Sequence, residues 1–292
     1  MAALSAALLW AVASVVYGRL GQVIKPLQLN LLKGIIAIAL LTITICLRGE
    51  FVANIAPIPL CLLLLSGVIG IGLGDLAFLA AINSFGARRT LLMGTLAPPM
   101  TAIIAQIFLA ERLNISAWYG CGLTVLGVAW VVTEKRANVS DISSTQLGQG
   151  IGFGLLAAIT NAIGAVLSRA ALADSSIAPL WASLFRLIAA VLILLPLTWL
   201  SWGGGRVIFS EWRSPRVLSA AFFAAFCGTY LGIWLQQTAI KFTQAGVALT
   251  LLQTSPLFVM PLAICMGEKI SIRAIAGVGI AIAGIALLFY LR

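Results

Sequence analysis

The sequence predicts an all-α integral membrane protein whose ten transmembrane helices form two inverted five-helix repeats. Composition is the first observation behind this fold class, because 62% of the 292 residues are hydrophobic and only 9% are charged. Mean hydropathy is +1.12, far above that of an average soluble domain. The second observation is a succession of apolar stretches, each close to the roughly 20 residues that a helix needs to cross a bilayer. The third is that the second half of the chain repeats the pattern of the first. These observations exclude a soluble fold.

Ten apolar stretches follow one another, separated by short polar breaks. The first starts with no basic segment before it and no A-x-A cleavage site after it, so we expect a retained helix rather than a signal peptide. Pro26 and Pro179 open the second and seventh stretches, and the third contains Asp75. The fourth and ninth contain prolines, the fifth and tenth carry spaced glycines, the sixth follows the longest polar connection, and the eighth carries aromatic and amide side chains. The predicted spans are roughly 3–20, 27–47, 60–81, 89–109, 115–133, 150–170, 179–201, 216–238, 245–265 and 271–290.

An internal repeat relates the two halves of the chain. A shift of 153 residues superposes Lys33 on Arg186. Five helices in each half is an odd number, so we expect the second half to enter the membrane inverted relative to the first. In transporters such a repeat places the solute site near the midplane between the halves, and duplication for size alone is the alternative. The predicted organisation is a first repeat at residues 1–133, a connecting loop at 134–149 and a second repeat at 150–292. A shift of 157 residues superposes Phe85 on Phe242, Pro99 on Pro256, Glu111 on Glu268, Gly120 on Gly277, Gly122 on Gly279 and Gly127 on Gly284.

Two related segments carry a family resemblance: GTLAPPMTAIIAQIFLAERLNISAWYGCGLTVLGV and LQTSPLFVMPLAICMGEKISIRAIAGVGIAIAGI. Prolines in an apolar stretch, then Glu with a basic residue, then spaced glycines occur twice. This pattern resembles the EamA-type transporters of the drug/metabolite transporter (DMT) superfamily. LLWAVASVVYGRL and the Lys33/Arg186 pair look like the first and second helices of that family. The resemblance covers essentially the whole chain and implies ten helices, export or import of metabolites, and a location in the cytoplasmic (inner) membrane of a bacterium.

Three charged residues are candidates for the solute site. Lys33 and Arg186 each lie seven residues after the proline that opens their helix, which places them roughly 10 Å inside the membrane. Buried cations there face a polar cavity or a partner, so they are predicted to attract an anionic group of the solute, and snorkelling to the headgroups is the alternative. Asp75 is predicted to pair with one of these cations or to titrate as a proton-coupling group.

Aromatic and amide side chains form a second set of candidates. Tyr230, Trp234 and Gln237 share one face of the eighth helix, which suits a cavity wall, and helix packing is the alternative. Phe78 is expected to share the face of Asp75. The weaker candidates of the same kind are Trp10, Asn161 and Gln253.

Paired prolines and glutamates mark the fourth and ninth helices. Pro99 and Pro256 are predicted to kink them and to act as gate hinges, or as static bends. Glu111 and Glu268 follow these helices, and we expect them to cap a helix N-terminus or to anchor the helix at the membrane interface, with gating as the alternative. The repeated glycines are expected to let helices approach closely.

The sequence predicts no metal and no cofactor, because it has no histidine and its five cysteines show no paired spacing. It has no nucleotide-binding G-x-x-x-x-G-K-[ST] loop. The net charge of +10 comes from basic residues that lie mostly at helix ends, which indicates membrane topology rather than nucleic-acid binding. The expected partners are a small-molecule solute and the lipid bilayer, with the protein a monomer or a homodimer.

Orientation is predicted differently by two criteria. Basic residues are more numerous in the connections after odd-numbered helices, which places both termini outside the cytoplasm. The family resemblance implies that both termini lie inside.

The function predicted from the sequence is secondary transport, not catalysis. The expected solute is a small polar metabolite, such as an amino acid or another carboxylate, moved by alternating access. The first alternative is an exporter of hydrophobic cations. The first helix carries no carboxylate, which argues against this alternative. The second alternative is a membrane assembly subunit that transports nothing.

Overall fold

The computed structural model describes residues 1–49, 55–85, 87–133, 144–201, 214–255, 257–258 and 272–290. Within these residues the regular structure is helical. The helices are α1 (Ala2–Leu20), α2 (Pro26–Arg48), α3 (Pro57–Ser66, Gly67–Leu73 and Gly74–Phe85 in succession), α4 (Ala87–Gly94), α5 (Ala97–Phe108), α6 (Ile115–Thr133), α7 (Ser144–Leu172), α8 (Pro179–Ser201), α9 (Pro215–Ala224, Ala225–Leu231 and Gly232–Phe242 in succession), α10 (Ala245–Leu252) and α11 (Ile272–Tyr290).

Six of the described helices, α1, α2, α3, α7, α8 and α9, are long and apolar enough to cross a bilayer. Shorter apolar segments occur in α5, α6 and α11. The all-helical membrane fold predicted from composition is therefore confirmed.

A π-helical segment interrupts α3 at Gly67–Leu73 and another interrupts α9 at Ala225–Leu231. The two segments lie 158 residues apart, so they are equivalent in the two repeats. A π-helix shifts the hydrogen-bond pattern by one residue and is common at functional sites. The apolar pattern predicted continuous helices here, because one extra residue leaves hydropathy unchanged.

The stretch predicted as one helix at 89–109 is divided into α4 and α5. A turn at residues 95–96 separates them, and Pro98 and Pro99 lie in the first turn of α5. Helix α10 is followed by a turn at residues 253–254, shortly before Pro256, which itself lies outside the described residues, as do residues 259–271. The break before the prolines therefore recurs at the equivalent point of the second half.

The repeats are interleaved, since the first helix of each half packs on the third helix of the other. A Cβ on Gly74 of α3 would lie 2.9 Å from Thr160 Oγ1 of α7, and a Cβ on Gly232 of α9 would collide with Trp10 of α1. These two contacts lie within one residue of corresponding positions in the two repeats. Each half thus completes the packing of the other.

Helices α6 and α11 approach closely through small residues. A Cβ on Gly127 would lie 2.5 Å from Ala281 N, and a Cβ on Gly284 would lie 2.5 Å from Thr124 N. The close approach predicted for the glycines is confirmed at these two positions. It is wrong for Gly122, where no atom of the described residues lies within 4 Å of an added Cβ, and Gly279 is equally open.

Hydrogen bonds tie three connections together at one end of the bundle. Lys241 Nζ donates to Ile177 O at 2.7 Å, and Gln244 Nε2 donates to Arg112 O at 3.2 Å. We call this end, with connections 109–114, 173–178 and 243–244, the tied end. The far end carries connection 21–25 and Ser214, where Leu20 and Ile24 pack near Val217. Helix α9 runs from the far end to the tied end, about 40 Å at 1.5 Å per residue.

Candidate functional site

A cavity of about 180 Å³ lies in the middle of the bundle. It is lined by α1, α3, α4, α7 and α9, together with Lys33 of α2 and Arg186 of α8. Tyr17, Ile82 and Thr90 line it within about one turn of the far ends of their helices. The cavity therefore extends from the middle of the bundle towards the far end.

Lys33 and Asp75 form an ion pair in this cavity. Lys33 is only 8% exposed, and its Nζ lies 5.6 Å from the centroid of the Tyr17 ring. The lysine is therefore turned inward, away from the headgroups that snorkelling would require. The Asp75 side chain keeps 34% of its surface exposed, so the carboxylate also faces the space of the cavity.

Arg186 lines the same cavity and is 3% exposed. Among the described residues, its Nε and Nη1 have no hydrogen-bond partner. Asp75 lies within electrostatic reach of the guanidinium but forms its ion pair with Lys33. Buried charged groups are normally paired, so these free donors distinguish Arg186 from the other cation.

The charge of the described cavity lining is positive overall. Lys33 and Arg186 contribute two cations, and Asp75 contributes one carboxylate. One positive charge is left without a counter-charge in the described lining. Such a cavity favours a solute that brings one negative charge.

The π-helical segments shape the cavity and offer it backbone carbonyls. Trp10 Nε1 donates to Gly228 O at 2.8 Å, and Asn30 Nδ2 donates to Ile71 O at 3.2 Å. Tyr17 lies against the start of the second π-helical segment, where its hydroxyl donates to Ala224 O at 3.0 Å. The side chains that satisfy these carbonyls hold the cavity walls in place.

Seven of the predicted solute-binding residues line the cavity, and their roles stay predictions. Two more candidates, Tyr230 and Trp234, lie outside its lining and pack with each other, with ring centroids 6.1 Å apart. The Tyr230 hydroxyl shares a 2.7 Å hydrogen bond with Thr44 Oγ1. The seven residues are Trp10, Lys33, Asp75, Phe78, Asn161, Arg186 and Gln253.

Gln237, also predicted to bind solute, is fully buried outside the cavity lining and accepts a 2.6 Å hydrogen bond from Ser168 Oγ. Pro99 lies in the first turn of α5 outside the cavity lining, and Pro256 lies outside the described residues. Their role as hinges stays a prediction.

Several polar residues of the cavity lining were not predicted from the sequence. Tyr17 lies at the interfacial end of α1, where an aromatic residue is ordinarily an anchor. Gln236 faces the cavity although Gln237 was the predicted residue, because the π-helical segment alters the rotation of the helix after it. The other missed polar lining residues are Ser14, Thr90, Thr229 and Ser255. Among the described residues, no cluster of three metal-ligating side chains occurs.

Comparison with known proteins gives one family and one fold. The model of the EamA-like transporter family matches residues 1–133 and 148–290. A solved crystal structure is similar to the chain with a TM-score of 0.77 at 15% identity, over 99% of this chain and 96% of the other. Identity at that level concerns the fold alone. No curated protein matches the sequence.

Proposed function

The chain belongs to the EamA-like transporter family, and on that premise we propose that it carries a small polar metabolite with an anionic group. The class of solute is a carboxylate, including amino acids, and the route is secondary transport by alternating access across the cytoplasmic membrane of a bacterium. Membership of the family makes the chain a membrane transporter of the DMT superfamily. The solute and the mechanism are our inference from the cavity.

The observation that carries the proposal is the buried guanidinium of Arg186. Arg186 lines the cavity, and its buried Nε and Nη1 have no partner among the described residues. Arg forms charge-assisted hydrogen bonds with carboxylates. A solute carboxylate in the cavity beside Arg186 would neutralise the one unbalanced charge of the described lining.

The cavity lies closer to the far end of the bundle than to the tied end, which supports transport by alternating access. The cavity approaches the far end through Tyr17, Ile82 and Thr90. On the tied-end side, the nearest lining residue of α8 is Arg186, seven residues from the helix start, and that of α9 is Gln236, six residues from the helix end. One side of the solute site is thus separated from the surface by about 9 Å of packed helix. Alternating access requires this asymmetry to reverse.

We also propose that each half contributes five transmembrane helices and that the halves are inverted. In that arrangement α4 with α5 forms the fourth span, and α10 begins the ninth. The recurring π-helical segments and the recurring break before a proline support equivalent halves.

The test is solute counterflow in liposomes that contain the purified protein. Radiolabelled amino acids, mono- and dicarboxylates, sugars, nucleosides and a quaternary ammonium compound are assayed in turn. We expect counterflow with at least one anionic or zwitterionic carboxylate. We further expect Arg186→Gln to abolish that flux, because the amide removes the positive charge while keeping a polar side chain.

The matched control is Arg216→Gln, which removes an exposed arginine at the start of α9. This variant should transport at the parent rate. Flux of the quaternary ammonium compound alone would replace the proposal with cation export, and no flux of any solute would favour an assembly subunit. Full carboxylate flux in folded Arg186→Gln protein would remove the anion-binding role from this residue.

A further inference from the structure

Four segments of the chain meet around Glu111 at the tied end. Arg169 Nε of α7 donates to the Glu111 carboxylate, forming an ion pair. The backbone N–H of Ala245 donates to the other carboxylate oxygen at 2.9 Å. Arg169 Nη1 also donates to Ile240 O at 3.0 Å and to Lys241 O.

The Glu111 carboxylate therefore caps a helix in the other half of the chain. Ala245 is the first residue of α10, 134 positions along the chain. Negative charge is favoured at a helix N-terminus, where backbone N–H groups lack partners. Arg169 in turn holds the last carbonyls of α9, where positive charge is favoured. One ion pair thus fixes the end of α9 and the start of α10 to α7 and to the connection before α6.

The pair is largely shielded from solvent, since the Arg169 and Glu111 side chains are only 16% and 14% exposed. The backbone that presents Glu111 is unusual as well. Ala110, directly before it, has φ of +52°, a left-handed conformation that non-glycine residues seldom adopt. Such strain persists where the surrounding structure requires it, and it is frequent at switch regions.

The ion pair lies opposite the side towards which the cavity extends. Ala105, Val166 and Ala245 form a buried cluster between α5, α7 and α10 at the tied end. No residue of this cluster lines the cavity. The ion pair and the cluster together seal the tied end in this conformation.

We propose that Glu111 and Arg169 form a latch that keeps the tied end closed while the cavity is accessible from the far end. Opening of the tied end requires the Glu111–Arg169 pair to separate, because the pair joins segments from both halves. The latch rests on the alternating access proposed above. It adds gating residues that lie outside the solute cavity.

Thiol accessibility tests the latch without any knowledge of the solute. A cysteine-free background receives either Ala105→Cys, which reports on the tied end, or Ser14→Cys, which reports on the cavity. The purified protein is placed in lipid nanodiscs, so that both membrane faces are exposed, and labelling by a membrane-impermeant maleimide is followed over time. Glu111→Gln and Arg169→Gln are each combined with both reporters.

We expect either latch variant to raise the labelling rate at position 105 and to lower it at position 14. The ratio of the labelling rate at position 105 to that at position 14 should rise about tenfold, a shift of the size expected from losing a charge-assisted hydrogen bond. Arg112→Gln is the matched control, because it removes a neighbouring exposed charge whose side chain is not part of the latch. Its labelling rates should equal those of the parent.

The reciprocal change separates a latch from a purely structural ion pair. Faster labelling at both positions would mean that the pair only stabilises the fold, and unchanged labelling at position 105 would mean that it holds nothing shut. Either result overturns the latch. The liposome assay of the parent protein and Arg186→Gln tests transport separately, so failure of the latch and failure of the proposed function are distinguishable.

Discussion

Arg186 and Lys33 occupy equivalent positions in the two repeats, yet they meet different partners. Lys33 pairs with Asp75, whereas two guanidinium nitrogens of Arg186 have no partner among the described residues. The equivalent of Asp75 in the second half is Gly232, which packs on Trp10 of α1. The sequence predicts the depth of both cations from the preceding prolines. It leaves open which of them Asp75 neutralises, because that depends on the rotation of α3 after its π-helical segment.

The Lys33–Asp75 pair leads to a prediction at the residue scale. Asp75→Asn leaves a buried lysine without its counter-charge, which costs less than the roughly 3–5 kcal/mol of a fully buried pair because the Asp75 side chain is 34% exposed. The double variant Lys33→Gln/Asp75→Asn removes both charges and should unfold closer to the parent temperature than Asp75→Asn alone. Thermal unfolding of the detergent-purified proteins measures the difference.

Asp174→Asn serves as the control for this pair, since Asp174 is exposed in the connection between α7 and α8. Its unfolding temperature should match that of the parent. A double variant no more stable than Asp75→Asn would contradict a mutual neutralisation of Lys33 and Asp75.

Among the elements, a bend at the prolines was foreseeable and the π-helical segments were not. Pro99 predicted a kink in the fourth helix because proline lacks an amide hydrogen and clashes with the preceding turn, and the structure has a turn between α4 and α5. The π-helical segments at Gly67–Leu73 and Ala225–Leu231 leave no trace in the apolar pattern. The π-helical segments affect the predicted site most in α9. There Gln236 lines the cavity, whereas Gln237, the predicted residue, does not belong to the described lining.

The pairing of α6 with α11 gives a prediction at the scale of the element. Gly127→Ala places a Cβ 2.5 Å from a backbone nitrogen of α11, so the helices must separate. Overpacking of this kind costs about 1–3 kcal/mol. We expect a lower unfolding temperature in detergent than for the parent protein.

Gly122→Ala adds the same methyl group to the same helix at a position where no atom of the described part of the chain lies within 4 Å. This variant should be as stable as the parent or slightly more stable, since alanine favours the helix over glycine. An equal decrease of the unfolding temperature in both variants would show that the contact between α6 and α11 is not the reason why position 127 requires glycine.

For the whole molecule, composition predicts the membrane fold and the repeat predicts equivalent halves. The interleaved packing of α1 on α9 and of α7 on α3 was not predictable, because it depends on contacts between residues far apart in the chain. The tied end is a similar case. Glu111 was expected to cap a helix, and the helix that it caps belongs to the other half.

Alternating access requires the two ends of the bundle to open in turn, and pairs of spin labels measure directly the distance between the halves at each end. One pair, at Arg112 and Ser176, spans the two halves at the tied end, and a second pair, at Gln22 and Ser214, spans them at the far end. Double electron–electron resonance in lipid nanodiscs gives the distance distribution of each pair. We expect two populations, one with a shorter tied-end distance and a longer far-end distance, the other with a longer tied-end distance and a shorter far-end distance. Glu111→Gln should increase the population with the longer tied-end distance. A single distance at each end that Glu111→Gln leaves unchanged, or distances that lengthen together, would contradict the account.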